Sequence, residues 1–304
     1  MNNICRTKLK WVNESKECFV SEINKIITHM NYIENKEKFC RIIPYGVLLY
    51  NGIIPSVTYM RYQESSCSKA FMGILALFSF LGIFYATMCI FKTGFVKKGV
   101  ISVNIPEEIE KKCNFCNETK PERAHHCKIC KKCVLKMDHH CNILAVCINH
   151  FNHGHFIRFI LFTWLSSFTL FLYNVVFIIT KCISNKNNVT YGMSTSVMFS
   201  TLIPILTLVV TSMHLKWQIE NLFQNVTNVE LVQVHNSKYR GVNCGTSPYN
   251  FGFRSNVVDV LGPGKYLYLG PTQLDGYNWK KLYKTFYWPL IDFETIQKLE
   301  NEDI

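Results

Sequence analysis

The sequence predicts an α-helical integral membrane protein, with four transmembrane helices and a cytosolic zinc-binding, cysteine-rich domain between the second and third. Two observations carry this prediction. Apolar residues are bunched into long uncharged runs, and seven of the fourteen cysteines fall between Cys113 and Cys147. The 304 residues leave room for one sizeable domain or two small ones, but a soluble core would spread its apolar residues more evenly.

No charge occurs between Arg41 and Arg61, from Ala70 to Phe91, from Phe159 to Thr180, or from Met193 to Met213. Each run approaches or exceeds the ~20 residues that an α-helix needs to cross the hydrocarbon core of a bilayer. Buried helices of soluble proteins rarely continue beyond about a dozen residues without a charged face. Spans are therefore expected at 42–60, 70–91, 156–180 and 193–214. The first contains Pro44, Pro55, Asn51, Gly46 and Gly52, so it is expected to be kinked or re-entrant. Met1 to Lys38 lacks an apolar core and is studded with lysines, which reads as no cleaved signal peptide.

Lys and Arg concentrate in the N-terminal segment 1–41, in the loop 92–155 and in the tail 215–304. The two short connections hold only Arg61 with Lys69 and Lys181 with Lys186. The positive-inside tendency places the three longer segments in the cytosol, supported by Lys92, Lys97, Lys98 and Lys216 close to span ends, and so places both termini there. The formal charge of +12 fits span flanks and anionic lipid better than nucleic acid, and no nucleic-acid partner is expected. Asn188-Val189-Thr190 is a glycosylation acceptor pattern on the lumenal side, too near the membrane for modification to be expected. In the tail, Pro248, Tyr249, Gly252, Gly262, Pro263, Gly264 and Pro271 alternate with aromatics and read as turns packed on another surface.

The cysteine loop is expected to face a reducing compartment, where metal or catalysis is a better explanation than disulfides. Cys113-x-x-Cys116, Cys127-x-x-Cys130 and Cys130-x-x-Cys133 each put two thiolates on a tight turn, interleaved with His125, His126, His139 and His140. That is how zinc is given half of a tetrahedral site. Two closed sites need eight ligands, and the loop offers seven cysteines and these four histidines. If each site takes three Cys and one His, one thiol is spared; if one site is all cysteine, none is. Spacing does not choose between them. His150, His153 and His155 are expected at the membrane interface before the third span.

The run Cys113-x-x-Cys116, Lys120-Pro121-x-Arg123-x-His125-His126-Cys127-x-x-Cys130-x-x-Cys133, then Lys136-Met137-Asp138-His139-His140-Cys141 and Cys147 resembles the cysteine-rich domain of the DHHC protein S-acyltransferases. Asn152 and Phe156, Thr227-Asn228-Val229-Glu230 and Tyr249-Asn250-x-Gly252-x-x-x-Asn256 are similar to that family's flanking motifs.

The resemblance implies one zinc on Cys113, Cys116, His126 and Cys133 and a second on Cys127, Cys130, His140 and Cys147. It implies Cys141 as the nucleophile that accepts the acyl group, His139 as its base and Asp138 as the residue orienting the imidazole. A carboxylate on the far ring nitrogen fixes the tautomer, and an imidazole beside a thiol raises its thiolate fraction. Acyl-CoA such as palmitoyl-CoA is the implied donor, with Lys120, Arg123 and His125 expected to meet its phosphates. Membrane-associated proteins with cytosolic cysteines are the implied acceptors, and the endoplasmic reticulum or Golgi the implied location.

Several positions depart from the family pattern. Pro-Trp after the nucleophile is replaced by Asn142-Ile143, paired asparagines by Ala145 and Val146, a glycine by Asn149, and the second Thr of Thr-Thr-x-Glu by Asn228. These changes spare every expected ligand. They leave two readings, an active S-acyltransferase and a zinc-stabilised membrane scaffold with weak or lost activity.

Overall fold

The computed structural model describes residues 42–60, 66–99, 111–183, 191–239, 244–262, 275–283, 285 and 287–289. The N-terminal segment 1–41, the acceptor pattern at 188–190 and the turns at Pro263, Gly264 and Pro271 lie outside them.

Helix α1 (Ile42–Met60) runs as a single helix through Pro44 and Pro55 rather than turning back. Pro44 falls in the first turn, where its missing N–H loses no helical bond. Helix α2 (Ser66–Phe91) leads into the cysteine-rich domain, which is built on two short hairpins: β1 (His125–Cys127) with β2 (Lys132–Val134), and β3 (His139–Cys141) with β4 (Val146–Ile148). Helices α3 (His153–Ile183) and α4 (Tyr191–Gln224) follow, then α5 (Asn228–Tyr239) and α6 (Phe253–Leu261). Among the described residues three stretches are long and apolar enough to cross a membrane, Lys69–Phe91, His153–Thr180 and Ser200–Gln224; Ile42–Ile53 in α1 is apolar but shorter.

Helices α2 and α3 pack along each other through rings and polar clips. Tyr85 stacks on Phe162 with centroids 5.6 Å apart and Phe71 meets Tyr173 at 5.6 Å. Ser79 and Ser166 hydroxyls pair at 2.8 Å, and Asn51 Nδ2 of α1 donates to Ser167 Oγ at 3.1 Å. Asn174 Nδ2 of α3 donates to the Ser200 carbonyl of α4 at 2.7 Å. Hydrocarbon offers polar side chains no other partner, so such bonds fix which helix faces meet.

Helix α4 does not stop near 214 as the apolar run suggested. It continues to Gln224. Its 34 residues would extend about 51 Å at 1.5 Å per residue, against about 30 Å of hydrocarbon. The extension carries Gln218 and Asn221, and the turn after it Asn225, up beside the cysteine-rich domain, where all three are buried. His150, His153 and His155 are buried too. Helix α6 docks on the start of α3 and the end of α4. Arg158 Nη2 donates to the Leu261 carbonyl, completing the C-terminal end of α6, and Asn256 Nδ2 donates to the Phe223 carbonyl at 3.1 Å.

Gly154 sits where α3 meets α6, and an added Cβ would run into the Val260 carbonyl oxygen, whereas the same atom at Gly73 meets nothing. Gly154→Ala is expected to lower stability by about 1–3 kcal/mol, read as earlier melting of the detergent-solubilised protein, while Gly73→Ala melts with the wild type.

Candidate active site and metal centres

The two hairpins divide the ligands. In the first, His126 pairs across the strands with Cys133; in the second, His140 pairs with Cys147. Cross-strand partners lie close enough to share one ion, so each hairpin supplies a His and a Cys to one centre. The other two ligands come from the turn before: Cys113-x-x-Cys116 for the first centre, and Cys127-x-x-Cys130, at the tip of the first hairpin, for the second. Both turns close alike, with Asn117 N–H donating to the Cys113 carbonyl and Lys131 N–H to the Cys127 carbonyl, each at 2.8 Å. Asn117 and Lys131 both take positive φ, 54°.

In each group the four ligand atoms lie within 4.8 Å of one another. His126 Nδ1 is 3.5, 3.3 and 4.0 Å from the sulfurs of Cys113, Cys116 and Cys133. His140 Nδ1 is 3.6, 3.5 and 3.5 Å from those of Cys127, Cys130 and Cys147. A tetrahedral zinc with bonds of ~2.3 Å to sulfur and ~2.0 Å to nitrogen has edges of roughly 3.5–3.8 Å. These spacings are the edges of such a tetrahedron rather than hydrogen bonds, and the two Cys3His groups fit structural zinc.

Cys141 belongs to neither group. It ends β3, is 6 % exposed, and packs into a cluster with Leu48, Tyr85, Leu144, Phe156 and Phe159 where α1, α2 and α3 meet the cysteine-rich domain. Successive side chains of a strand point to opposite faces. His140 therefore turns to its metal group while His139 and Cys141, two residues apart, share the other face. His139 Nδ1 donates to Asp138 Oδ2 at 2.7 Å, its ring meets Phe156 edge-on with centroids 5.1 Å apart, and Cys141 lies close enough to act on its charge. Burial pushes His139 down, but the Asp138 carboxylate and Cys141 outweigh it, holding the imidazole up at about 9. Burial would raise Asp138; its bond to His139, the neighbouring imidazoles and the Asn228 N–H reverse that and keep it well below the usual carboxylate range.

Asp138, with 0 % exposure, sits at the N-terminus of α5. Thr227 and Glu230 form a reciprocal cap there: Glu230 N–H donates to Thr227 Oγ1 at 3.3 Å and Thr227 N–H to Glu230 Oε2 at 2.8 Å. The cap leaves the Asn228 N–H for Asp138 Oδ1 at 2.8 Å, so the positive end of the helix faces the carboxylate. Asn228 Nδ2 adds a bond to Asp138 Oδ2 at 2.9 Å, and Asn221 Nδ2 orients that amide by donating to Asn228 Oδ1 at 2.8 Å. The asparagine departing from the motif is thus a donor to the carboxylate. Asn149 is similarly accommodated. Its Nδ2 donates to the Lys92 and Cys147 carbonyls at 3.2 and 2.9 Å, and Gly94 leaves space that any Cβ would take from it.

The three residues expected to bind phosphate separate. Arg123 is 3 % exposed and not available: Nε and Nη2 donate to Glu230 Oε1 and Oε2 at 2.6 and 2.8 Å, Nη2 also reaches the Asn225 carbonyl at 2.9 Å, and the guanidinium lies 4.0 Å from the Tyr249 ring centroid. A guanidinium engaged on both edges and one face has no site left for a phosphate, so its expected role is replaced by a structural one. His125 is pushed down to about 4, chiefly by burial and then by Lys120. It is neutral at physiological pH and brings no charge to a phosphate. Lys120 is half-buried.

The tail closes over this ion pair. Tyr249 OH donates to Glu122 Oε1 at 2.9 Å and Lys281 Nζ to Glu122 Oε2 at 3.0 Å. Trp279 lies 4.9 Å from Arg123 and 5.3 Å from the buried Lys136, which burial pushes down to about 7. Gln218 and Asn221 escaped sequence reasoning, because they lie beyond the apolar run with no motif to mark them, and Lys136 stood in the motif run without a role of its own.

Residues 106–235 match a family model described as DHHC palmitoyltransferase. The matched stretch takes in both metal groups, Asp138, His139 and Cys141, helices α3 and α4, and α5 as far as His235.

Ala145 takes φ of 48° in the β3–β4 turn, a conformation that costs a residue with a Cβ roughly 1–2 kcal/mol and costs glycine nothing comparable. Ala145→Gly is expected to stabilise the domain by about 1 kcal/mol, measured as slower zinc loss to a chelator and later melting. Glu230→Gln leaves Arg123 buried without its counter-charge and is expected to destabilise by about 3–5 kcal/mol, seen as earlier melting and proteolytic release of the tail.

Proposed function

Because the chain carries a DHHC palmitoyltransferase domain, we propose that it is a protein S-acyltransferase, moving palmitate or a similar fatty acyl group from acyl-CoA to cysteine thiols of other proteins through an acyl-enzyme on Cys141. The observation that supports this most directly is the division of labour in the cysteine-rich domain. Eight side chains gather into two metal groups, and the thiol beside His139 and Asp138 is not among them. Zinc held by Cys113, Cys116, His126 and Cys133 and by Cys127, Cys130, His140 and Cys147 would brace the frame, with all four positions of each ion filled by protein.

In the first step the Cys141 sulfur attacks the thioester carbonyl. The carbon–sulfur bond to coenzyme A breaks and its thiol leaves with the proton that His139 took from Cys141. In the second, a substrate cysteine gives its proton to His139, attacks the acyl-cysteine and restores the Cys141 thiol. Thioester exchange is nearly neutral in energy, so orientation and thiolate supply are the main catalytic terms. An acyl chain on Cys141 would lie among Leu48, Tyr85, Phe156 and Phe159, already gathered around that sulfur.

The same reading has four spans at 42–60, 70–91, 156–180 and 193–214, both termini and the loop 92–155 in the cytosol, and an endoplasmic reticulum or Golgi location. Lys120 is the remaining candidate for a coenzyme A phosphate. Acceptors are membrane-associated proteins with cytosolic cysteines. The exposed Asn142 and Ile143, where the family has Pro-Trp, favour the competing reading of a zinc-stabilised scaffold with little activity.

Purified protein incubated with labelled palmitoyl-CoA separates the two. An enzyme takes up a hydroxylamine-labile label that Cys141→Ser abolishes and that His139→Gln slows by about 10²–10⁴-fold, the usual contribution of a positioned base. A wild-type protein that binds two zinc ions per chain but takes up no label is the scaffold.

A further inference from the structure

We propose that Gln218 and His153 are positioning residues for the Asp138–His139 pair, an inference that deepens the acyl-transfer reading and rests on it for its rate measurement. Asp138 Oδ2 receives three N–H donors: His139 Nδ1 at 2.7 Å, Asn228 Nδ2 at 2.9 Å and Gln218 Nε2 at 3.3 Å. A carboxylate enclosed by donors can only accept, so Gln218 must turn its NH2 toward Asp138. Its carbonyl then faces the other way, and there His153 Nε2 lies 2.7 Å from Gln218 Oε1. The amide oxygen can only accept, which sets His153 in the tautomer carrying its proton on Nε2. One chain of donors therefore runs from His153 through Gln218 to Asp138, with exposures of 4 %, 3 % and 0 %.

The chain crosses three elements. His153 opens α3, Gln218 lies on the extension of α4, and Asp138 immediately precedes β3. Packing alone would be served better by apolar residues, because His153 Nδ1 is buried without a hydrogen-bond partner among the described residues and an unpaired buried polar atom costs stability. The imidazole makes sense if its other nitrogen has a task. That task is to hold the Gln218 amide, which with Asn228 fixes the plane of the Asp138 carboxylate and so the direction in which His139 is presented to Cys141.

The test uses the full-length, zinc-loaded protein and two readouts: the rate of iodoacetamide alkylation at Cys141, resolved by fragmentation mass spectrometry, and the rate of self-acylation at saturating palmitoyl-CoA. Gln218→Met keeps the bulk and removes the hydrogen bonds. It is expected to slow both rates about tenfold, with zinc content unchanged and the KM for palmitoyl-CoA within about twofold. His153→Phe is expected to match it, while His153→Gln, which keeps an N–H donor, retains most of both rates. Alkylation at the wild-type rate in Gln218→Met and in His153→Phe overturns the proposal, as does slowing that appears only together with zinc loss. If Gln218→Met fails to bind zinc, the contrast between His153→Phe and His153→Gln decides. A wild type that never acylates, with the alkylation contrast intact, removes the acyl-transfer reading and leaves the positioning chain standing.

Discussion

The two-residue alternation of strand β3 is the constraint on which the site depends. Three consecutive residues face two ways: His140 closes a metal group while His139 and Cys141 share the opposite face. Only a strand separates neighbours onto opposite faces while keeping residues two apart together; on a helix His139 and His140 would point about 100° apart, and Cys141 would leave both. A strand of three residues has little stability of its own. The register His140↔Cys147 puts two metal ligands directly opposite each other, so the ion that bridges them would also pin the register that exposes Cys141 to His139. Metal binding and the placement of Cys141 beside His139 are in that sense coupled.

Asp138, the carboxylate bonded to His139, is held by different means. Asp138 is fully buried, and an ionised carboxylate in that position must be enclosed by donors or it would take up a proton. Its donors come from β3, from the capped N-terminus of α5 and from the extension of α4. The Arg123–Glu230 pair stands behind them. Glu230 caps α5 and binds the guanidinium with the same carboxylate, so the helix end that faces Asp138 is anchored to the cysteine-rich domain. Tyr249 and Trp279 cover that pair with aromatic faces. This gives the tail a physical role in the site although neither ring reaches Cys141.

Some of this was legible in the sequence because it rests on short spacing. The pairs of cysteines three positions apart and the uncharged runs each depend on a local period, and the metal groups and apolar helices formed where those periods lie. What spacing left open was the choice of ligands: seven cysteines and four histidines allow several divisions, and only the cross-strand pairing selects His126 and His140 over His125 and His139. The end of α4 was hidden because apolarity marks hydrocarbon, not helix, and the segment from Lys216 to Gln224 is helical without being uniformly apolar. Arg123 misled for a related reason. A basic residue in a zinc loop reads as exposed, and its partner Glu230 is 107 positions away.

The departures from the family pattern are best judged by what each side chain now touches. Asn228 replaces a hydroxyl with an amide that reaches Asp138, and Asn221 holds that amide the right way round. Asn149 adds a side chain where a glycine would leave space, and Gly94 opposite gives up its own Cβ to admit it. Both substitutions come with a neighbour that accommodates them, as expected where a local change is absorbed by its contacts. Ala145 takes a positive φ of 48°, and Asn142 and Ile143 face outward. Around Asp138, His139 and the metal groups the changed side chains thus find partners, while those of Asn142 and Ile143, immediately after Cys141, turn to solvent.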